Sequence, residues 1–466
     1  MLGILGIVLS LLLLMALAYR GLNVLVLAPV MSLLAVLLSR EAPLLATYTQ
    51  VYMVSLGEYL VKYFPLFMLG SIFGKLMGDS GSARAISQFI AARLGQQRAI
   101  LAIVLSCAIL TYGGVSLFVV AFAVYPIAAE LFRTSGTPKR FIPGAIALGA
   151  FTFTMTALPG TPAIQNAIPM PFFGTTPFAA PVLGSIGGLI MLCGGMSWLN
   201  HRARRAMEGG EGYGQHADEL SQTPDSAEAT RSTPFIGLAI APILLVILGN
   251  FAFSKFIIPS WDTTYLSEAK YGQVELKSVL GIWAIICGLL VAILALAILH
   301  WRRWESLTDS INQGTKNALL PIFNTASEVG YGTVIASLAA FAIVRDWVVN
   351  LSPENPLISE AIAVTTLAGI TGSASGGLSI ALSTLGATYL QMAEQSGISP
   401  ELLHRVASMA SGAFDTLPHN GAVITLLAIT NLTHRSSYVD IFMVAVVVPA
   451  LATVAVIILG GQFGAF

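Results

Sequence analysis

Apolar runs close to membrane-spanning length recur from one end of the chain to the other, at 2–18, 22–39, 178–199, 235–253, 278–299 and 438–459. About 20 apolar residues in a helix suffice to cross a bilayer, so each run predicts a transmembrane helix. The run at 2–18 has no basic stretch before it and no small-residue cleavage pattern after it, which predicts a retained helix rather than a signal peptide. Residues 201–233 break the pattern. They are rich in charge, Gly, Ser and Thr and lack apolar periodicity, which predicts a flexible polar linker between two halves, 1–200 and 234–466.

The halves echo one another in order. "YGGVS" (112–116) pairs with "SGGLS" (375–379), "SGTP" (135–138) with "SGIS" (396–399), and "ALPGTPAI" (157–164) with "TLPHNGAV" (416–423). Upstream, Pro65, Phe67, Ser71 and Gly74 match Pro321, Phe323, Ser327 and Gly330. A nearly constant offset between copies is the mark of an internal repeat.

Segments 99–131 and 361–391 are too long for one crossing and carry Gly/Ser clusters at their centres, "TYGGVS" and "TGSASGG". Such segments can enter the membrane and turn back, provided protein or a water-filled cavity covers the irregular tip. Segments 140–171 and 402–431 are interrupted midway by proline and glycine, which predicts two broken helices. Counted this way each half crosses five times. The expected fold is an all-α polytopic membrane protein of about ten transmembrane helices in two inverted-topology repeats, with two re-entrant hairpins and two broken helices.

Charge agrees with that count. Sixteen of the 23 Lys and Arg residues, including Arg202, Arg204, Arg205, Arg302, Arg303 and Lys316, fall on the side assigned to the cytoplasm; Arg405 is among the seven on the other side. Both termini are then expected outside and the linker inside. At 56% hydrophobic and 10% charged residues, the composition excludes a soluble globular chain. A net charge of zero argues against nucleic acid as a partner. Cys107, Cys193 and Cys287 lie in apolar runs without metal-ligand spacing and read as packing residues. No HExxH, GxSxG or paired-Cys motif is present, so neither an enzyme nor a metal or other cofactor is expected.

A helix broken at mid-membrane frees backbone groups that lipid cannot satisfy, at a cost of several kcal/mol each. Four breaks in repeat-related positions predict one central site where substrate, coupling ion or water meets those groups, with half-helix N-termini favouring an anion. Ionisable residues near the midplane are functional by default. Here they are Glu328, Asp415 and His419, and histidine ordinarily titrates near neutral pH. Two roles stay open for Asp415, capping the second half-helix or carrying a proton; His419 could instead hold loose carbonyls, and Glu328 could brace the "GYG" that follows it. With no Lys or Arg expected at the centre, a substrate carboxylate would rely on Gly114 and Ser116 in the first hairpin, Ser373, Ser375 and Gly376 in the second, and Thr161, Asn166 and Asn420 at the breaks. Such a donor set favours a small monoanion, and its hydroxyls and amides suit a hydroxy acid.

Three stretches, "FDTLPHNGAVITLLAITNLTHRSSYVDI" (414–441), "LLPIFNTASEVGYGTVIASL" (319–338) and "ALPGTPAIQNAIPMPFFGT" (157–175), resemble the gluconate permease (GntP) family of the ion-transporter superfamily. The resemblance covers nearly the whole chain outside the linker. It implies a secondary transporter of small organic anions, and "DTLPHNGAVITLL" is similar to the D-3-hydroxybutyrate permease-like branch rather than the gluconate carriers. The expected function is proton-coupled symport of a small monocarboxylate, D-3-hydroxybutyrate or a related hydroxy acid, in a bacterial inner membrane. The alternatives are a gluconate or other sugar-acid permease, a sodium-coupled carboxylate transporter, and, further off, an anion channel. The sequence leaves open whether the chain forms a homodimer.

Overall fold

A computed structural model describes residues 2–20, 22–115, 117–214, 233–352, 355–418 and 420–465. Among them there is helix and no strand. The first half opens with two apolar helices, α1 (Leu2–Tyr19) and α2 (Val24–Ser39). The long α3 (Leu44–Asp79) follows, with a π-helical stretch at Thr47–Tyr52 and Pro65 in its interior. A short α4 (Ser82–Leu94) then bends by 109° into α5 (Ala99–Tyr112). The bend falls at Gly95, whose φ of +71° lies in the left-handed region that glycine enters without strain. α5 packs against α6 (Leu117–Ser135) across a tip at Gly113–Val115. The next crossing is in pieces, α7 (Ile142–Ala150), α8 (Phe153–Thr156), α9 (Ile164–Ala167) and α10 (Met170–Phe173), and α11 (Pro181–Glu208) closes the half.

The second half runs through the same order. Two apolar helices, α12 (Ile236–Ser260) and α13 (Leu276–Leu299), lead to a long helix with an interior proline, α14 (Leu307–Ser337, Pro321). Then come a short α15 (Ala339–Val349), a helical pair α16 (Pro356–Thr371) and α17 (Ala374–Ser396), an interrupted helix α18 (Pro400–Ser411) and α19 (Gly421–Thr430), and the closing α20 (His434–Phe463). Local chemistry sets these starts. Asn355 caps α16, Ser373 caps α17, Ser399 caps α18 and Asn420 caps α19, each side-chain oxygen accepting from a backbone N–H of the first turn, with Pro356 and Pro400 just inside two of them.

By length and composition, α3, α11, α12, α13 and α20 can each cross a membrane, and shorter apolar helices lie at Gly3–Leu14, Val24–Ser39, Pro356–Gly369 and Gly421–Thr430. The remaining expected crossings are interrupted, or like α14 carry polar residues. The two proline-bearing long helices, α3 and α14, make the most extensive helix pair in the protein. From Thr325 to Gly332 every α14 residue is buried, so this stretch is at the protein's centre. Tyr52 hydrogen-bonds Ser327 there, and the Ser55 and Thr333 hydroxyls meet at 2.6 Å.

Two sequence readings change. α11 continues to Glu208, eight residues into the stretch read as flexible linker. Tertiary contacts hold it: Asp440 of α20 is 1% exposed and accepts from Trp198 Nε1 (3.0 Å) and Arg202 Nε (3.4 Å). Just beyond, Glu211 pairs with Arg140, whose hydrogen bonds keep its carboxyl below the usual range. Second, Cys107 is buried but Cys193 is exposed on α11, so it fills no packing position.

Candidate functional site

Between α8 and α9 the chain leaves the helix through Pro159, Gly160 and Pro162, with φ of +81° at Gly160. The carbonyls freed there are met by protein. Pro159 O accepts from the Tyr112 hydroxyl at the end of α5 (2.6 Å), Gly160 O from Asn250 Nδ2 (3.2 Å), and Thr161 O from Asn166 Nδ2 (3.0 Å). Thr156 O accepts from Ser408 Oγ (2.9 Å) and Arg405 Nη1 (3.2 Å). Arg405 also donates to Ala179 O twice and to Asn166 Oδ1. Beside it His404 bridges Asn166 Oδ1 (3.1 Å) and Thr175 Oγ1 (2.6 Å).

Arg405 and His404 are completely buried, where the sequence reading set Arg405 at the outer surface and no cation inside. A cation is drawn inward because a broken neighbouring helix presents carbonyls in need of a donor, and hydropathy along one segment cannot register that. It follows that the first break is satisfied largely by side chains of the protein. Thr161 and Asn166 sit within this brace, with both Asn166 donors spent on Thr161 O and Pro177 O.

Between α18 and α19 the second break is tied to the second hairpin. Asp415 Oδ1 accepts from Ala374 N (2.8 Å), the first residue of α17, and from Asn420 Nδ2 (2.9 Å). Asn420 Nδ2 also donates to Gly372 O (2.7 Å), and its Oδ1 caps α19 through Ala422 N (2.6 Å) and Val423 N (3.0 Å). Thr416 O accepts from Tyr438 Oη and Pro418 O lies 2.9 Å from His434 Nε2. His419 and Ser116 lie outside the described residues.

The hairpin tip meets α14 through hydroxyls. Thr325 Oγ1 is 3.3 Å from Ser375 Oγ, which is 3.4 Å from Ser373 Oγ, and Gly376 N donates to Ser373 Oγ at 3.0 Å. One turn along α14 from Thr325, the Glu328 carboxylate is packed so closely on the bare Cα of Gly376 that a methyl there would overlap Oε2. Glu328 is 4% exposed with its Oε2 buried; Ser373 lies within reach of its carboxyl, and the Tyr59 and Ser379 hydroxyls face each other close by. Gly376 and Gly377 therefore lie in the first turn of α17, not in the tip. "SGGLS" is displaced from the structural counterpart of "YGGVS", because its glycines serve close helix packing while Gly113 and Gly114 form the turn itself.

A cavity of about 610 Å³ opens between the first tip, the first break and α14. Gly114 lines it with Thr111, Gln165, Lys316 and Asn317. Thr111 Oγ1 and Gln165 Oε1 are buried without a partner, one able to donate and one able to accept. Volume and lining are those of a small-molecule site. The sequence reading missed Thr111, Gln165 and Lys316: the first two look like ordinary polar residues beside a motif, and only folding carries Lys316 to the wall of the cavity.

The chain is 45% identical over 467 residues to the uncharacterized transporter YxjC of Bacillus subtilis (strain 168), and the match covers 98% of each protein. No family model matches it. Among solved structures it is similar to the Alcanivorax borkumensis YdaH transporter, with a TM-score of 0.54 at 13% identity over 88% of this chain and 87% of that one. It is also similar to Neisseria gonorrhoeae MtrF, from a class of antimetabolite efflux pumps, with a TM-score of 0.51 at 12% identity over 90% and 84%. At such identities the likeness is one of fold alone.

Proposed function

Because the chain belongs to the transporter family of Bacillus subtilis YxjC, a multi-pass membrane protein family, we propose that it is a secondary active symporter. Its substrate in this reading is a small organic monocarboxylate, D-3-hydroxybutyrate or a related short hydroxy acid, moved with protons across a bacterial inner membrane. The GntP-like motifs support the substrate class, and the matching element order of the halves supports inverted repeats.

The observation that carries the reading is the cavity of about 610 Å³ with its unpartnered groups. A hydroxy acid supplies what they lack: its carboxylate pairs with Lys316 and accepts from Thr111 Oγ1, and its hydroxyl donates to Gln165 Oε1. Each contact satisfies a polar group whose burial unpaired is costly. α14 carries Lys316 at the cavity and Glu328 at the second hairpin, so one helix joins substrate to coupling group. Glu328, buried where α14 meets the second hairpin, carries the proton in this reading, while the Asp415 oxygen that meets α17 is held by Ala374 and Asn420; His419 is the third coupling candidate.

Uptake into proteoliposomes tests this, with a panel of labelled hydroxy acids and with pH and sodium gradients imposed separately. Accumulation of a short hydroxy acid driven by the proton gradient alone is the expected result. Accumulation driven only by sodium would replace the proton, preference for gluconate would replace the substrate, and a non-saturable current would indicate a channel.

A further inference from the structure

One buried acid plays no part in the scheme above. Glu360 sits on α16, the first arm of the second hairpin, is 0% exposed, and has both carboxyl oxygens buried without a hydrogen-bond partner. Thr371 ends this arm at the tip, about 16 Å of helical rise away, whereas the arm begins at Pro356, only about 6 Å from Glu360. That start is on the outer side in the charge reading. Packing of the hairpin does not call for an acid here. In the first hairpin, the same number of positions back from the end of α5 at Tyr112 falls on Leu101, so the architecture accommodates an apolar residue at this place.

The described side chains on the helices packed against α16 offer Glu360 no counter-charge. Its titratable neighbour on α17 is Tyr389, whose buried hydroxyl donates to the Ser359 carbonyl (3.3 Å) instead of the acid. On α18 Glu401 is exposed, and His404 and Arg405 are spent on the first break. Glu394 of α17 and Asp346 of α15 are exposed, α1 carries no charged residue, and α20 carries none from Ile441 to its end beside Asn355. A carboxylate with neither oxygen paired is among the costliest groups to bury, and a bound proton removes its charge. A metal cation would need more oxygens than one acid supplies, and no cluster of three potential ligands exists among the described residues. When the proton leaves, the positive end of α16 one turn away favours the anion. We propose that Glu360 is a second proton-binding site, which holds its proton in this state and exchanges it with water on the outer side. The site is independent of which acid the protein carries; its part in transport rests on the symporter reading.

Infrared difference spectra of the full chain in liposomes test the site without any substrate. At neutral pH the C=O stretch of a protonated carboxylic acid is expected in the parent and in Glu328→Gln, and its Glu360 component should be missing in Glu360→Gln. In Glu360→Asp, which keeps the acid should the glutamine variant fail to fold, the same component should be displaced. It should also move in heavy water and disappear reversibly at alkaline pH. Identical spectra of the parent and the Glu360 variants, or a component that answers neither heavy water nor alkali, would overturn the proposal. Uptake tests the outer side. As external pH rises, uptake by the parent should fall more steeply than uptake by Glu360→Gln, by about tenfold per pH unit, the contribution of one proton-binding group. Equal slopes would overturn the exchange with the outer side. Failure of the parent to accumulate any acid of the panel would count against the symporter reading, and the infrared result would then decide Glu360 by itself.

Discussion

Arg405 donates both Nε and Nη2 to the carbonyl of Ala179, at 3.1 and 2.7 Å, so a side chain of the second half holds the backbone that leads out of the first half's broken crossing. Nη1 adds Thr156 O and Asn166 Oδ1. Arg405→Met should leave these acceptors short of a donor and destabilise the protein by about 3 kcal/mol, since a buried acceptor left unpaired costs 1–3 kcal/mol. Arg405→Lys cannot reproduce the fork and should recover only part of the loss. Thermal melting in detergent measures both; a Met variant melting like the parent would mean that the brace contributes little.

Gly376 is the seat of Glu328. In Gly376→Ala the new methyl meets the carboxylate, which must move or leave, so proton-driven uptake should fall by roughly an order of magnitude, as expected for a displacement of about 1 Å at a functional group. Adding Glu328→Asp, which shortens the side chain, should restore part of it. Uptake rates of the two single variants and the double variant decide the matter: if the effects simply add, the two residues are not coupled.

Glu328→Gln should abolish uphill accumulation while retaining exchange of labelled for unlabelled substrate, because exchange moves no net proton. Asp415→Asn keeps an oxygen to accept from Ala374 N, so near-parental coupling would place Asp415 in structure. His419→Ala should behave like Glu328→Gln if the proton passes through His419. Counterflow and gradient-driven uptake, measured side by side, separate these outcomes.

Gln165→Leu removes the acceptor assigned to the substrate hydroxyl. The preference for 3-hydroxybutyrate over butyrate should fall roughly tenfold, the value of one hydrogen bond of about 1.4 kcal/mol. Lys316→Gln should instead weaken both acids alike. Competition against labelled substrate reads out both, and an unchanged preference in Gln165→Leu would remove this residue from the site.

Sidedness has its own check. With Cys107, Cys193 and Cys287 replaced by serine, cysteines at Glu208 and Lys270, both exposed, should react with a membrane-impermeant thiol reagent from opposite sides, Lys270→Cys in intact cells and Glu208→Cys only after permeabilisation. Labelling of both from outside would mean that the crossing count is wrong.

The sequence by itself determined where helices can exist and where they must stop. Apolar length marks segments such as α1, α2 and α13, and proline and glycine interrupt the segments that fold as α7–α10 and α18–α19, because these signals act through each residue's own backbone and its immediate neighbours. Asp415 and Asn420 were legible for the same reason, as polar residues beside a local break. Tertiary structure alone decided which groups answer the freed carbonyls. Arg405 reaches Thr156 from 249 positions away, Gly376 is bare because Glu328 of another helix rests on it, and Lys316 joins Gln165 at a cavity only once α14 packs beside the first break. Hydropathy assigns a charged side chain to water unless something inside compensates it, and in this protein the compensating groups lie on other helices.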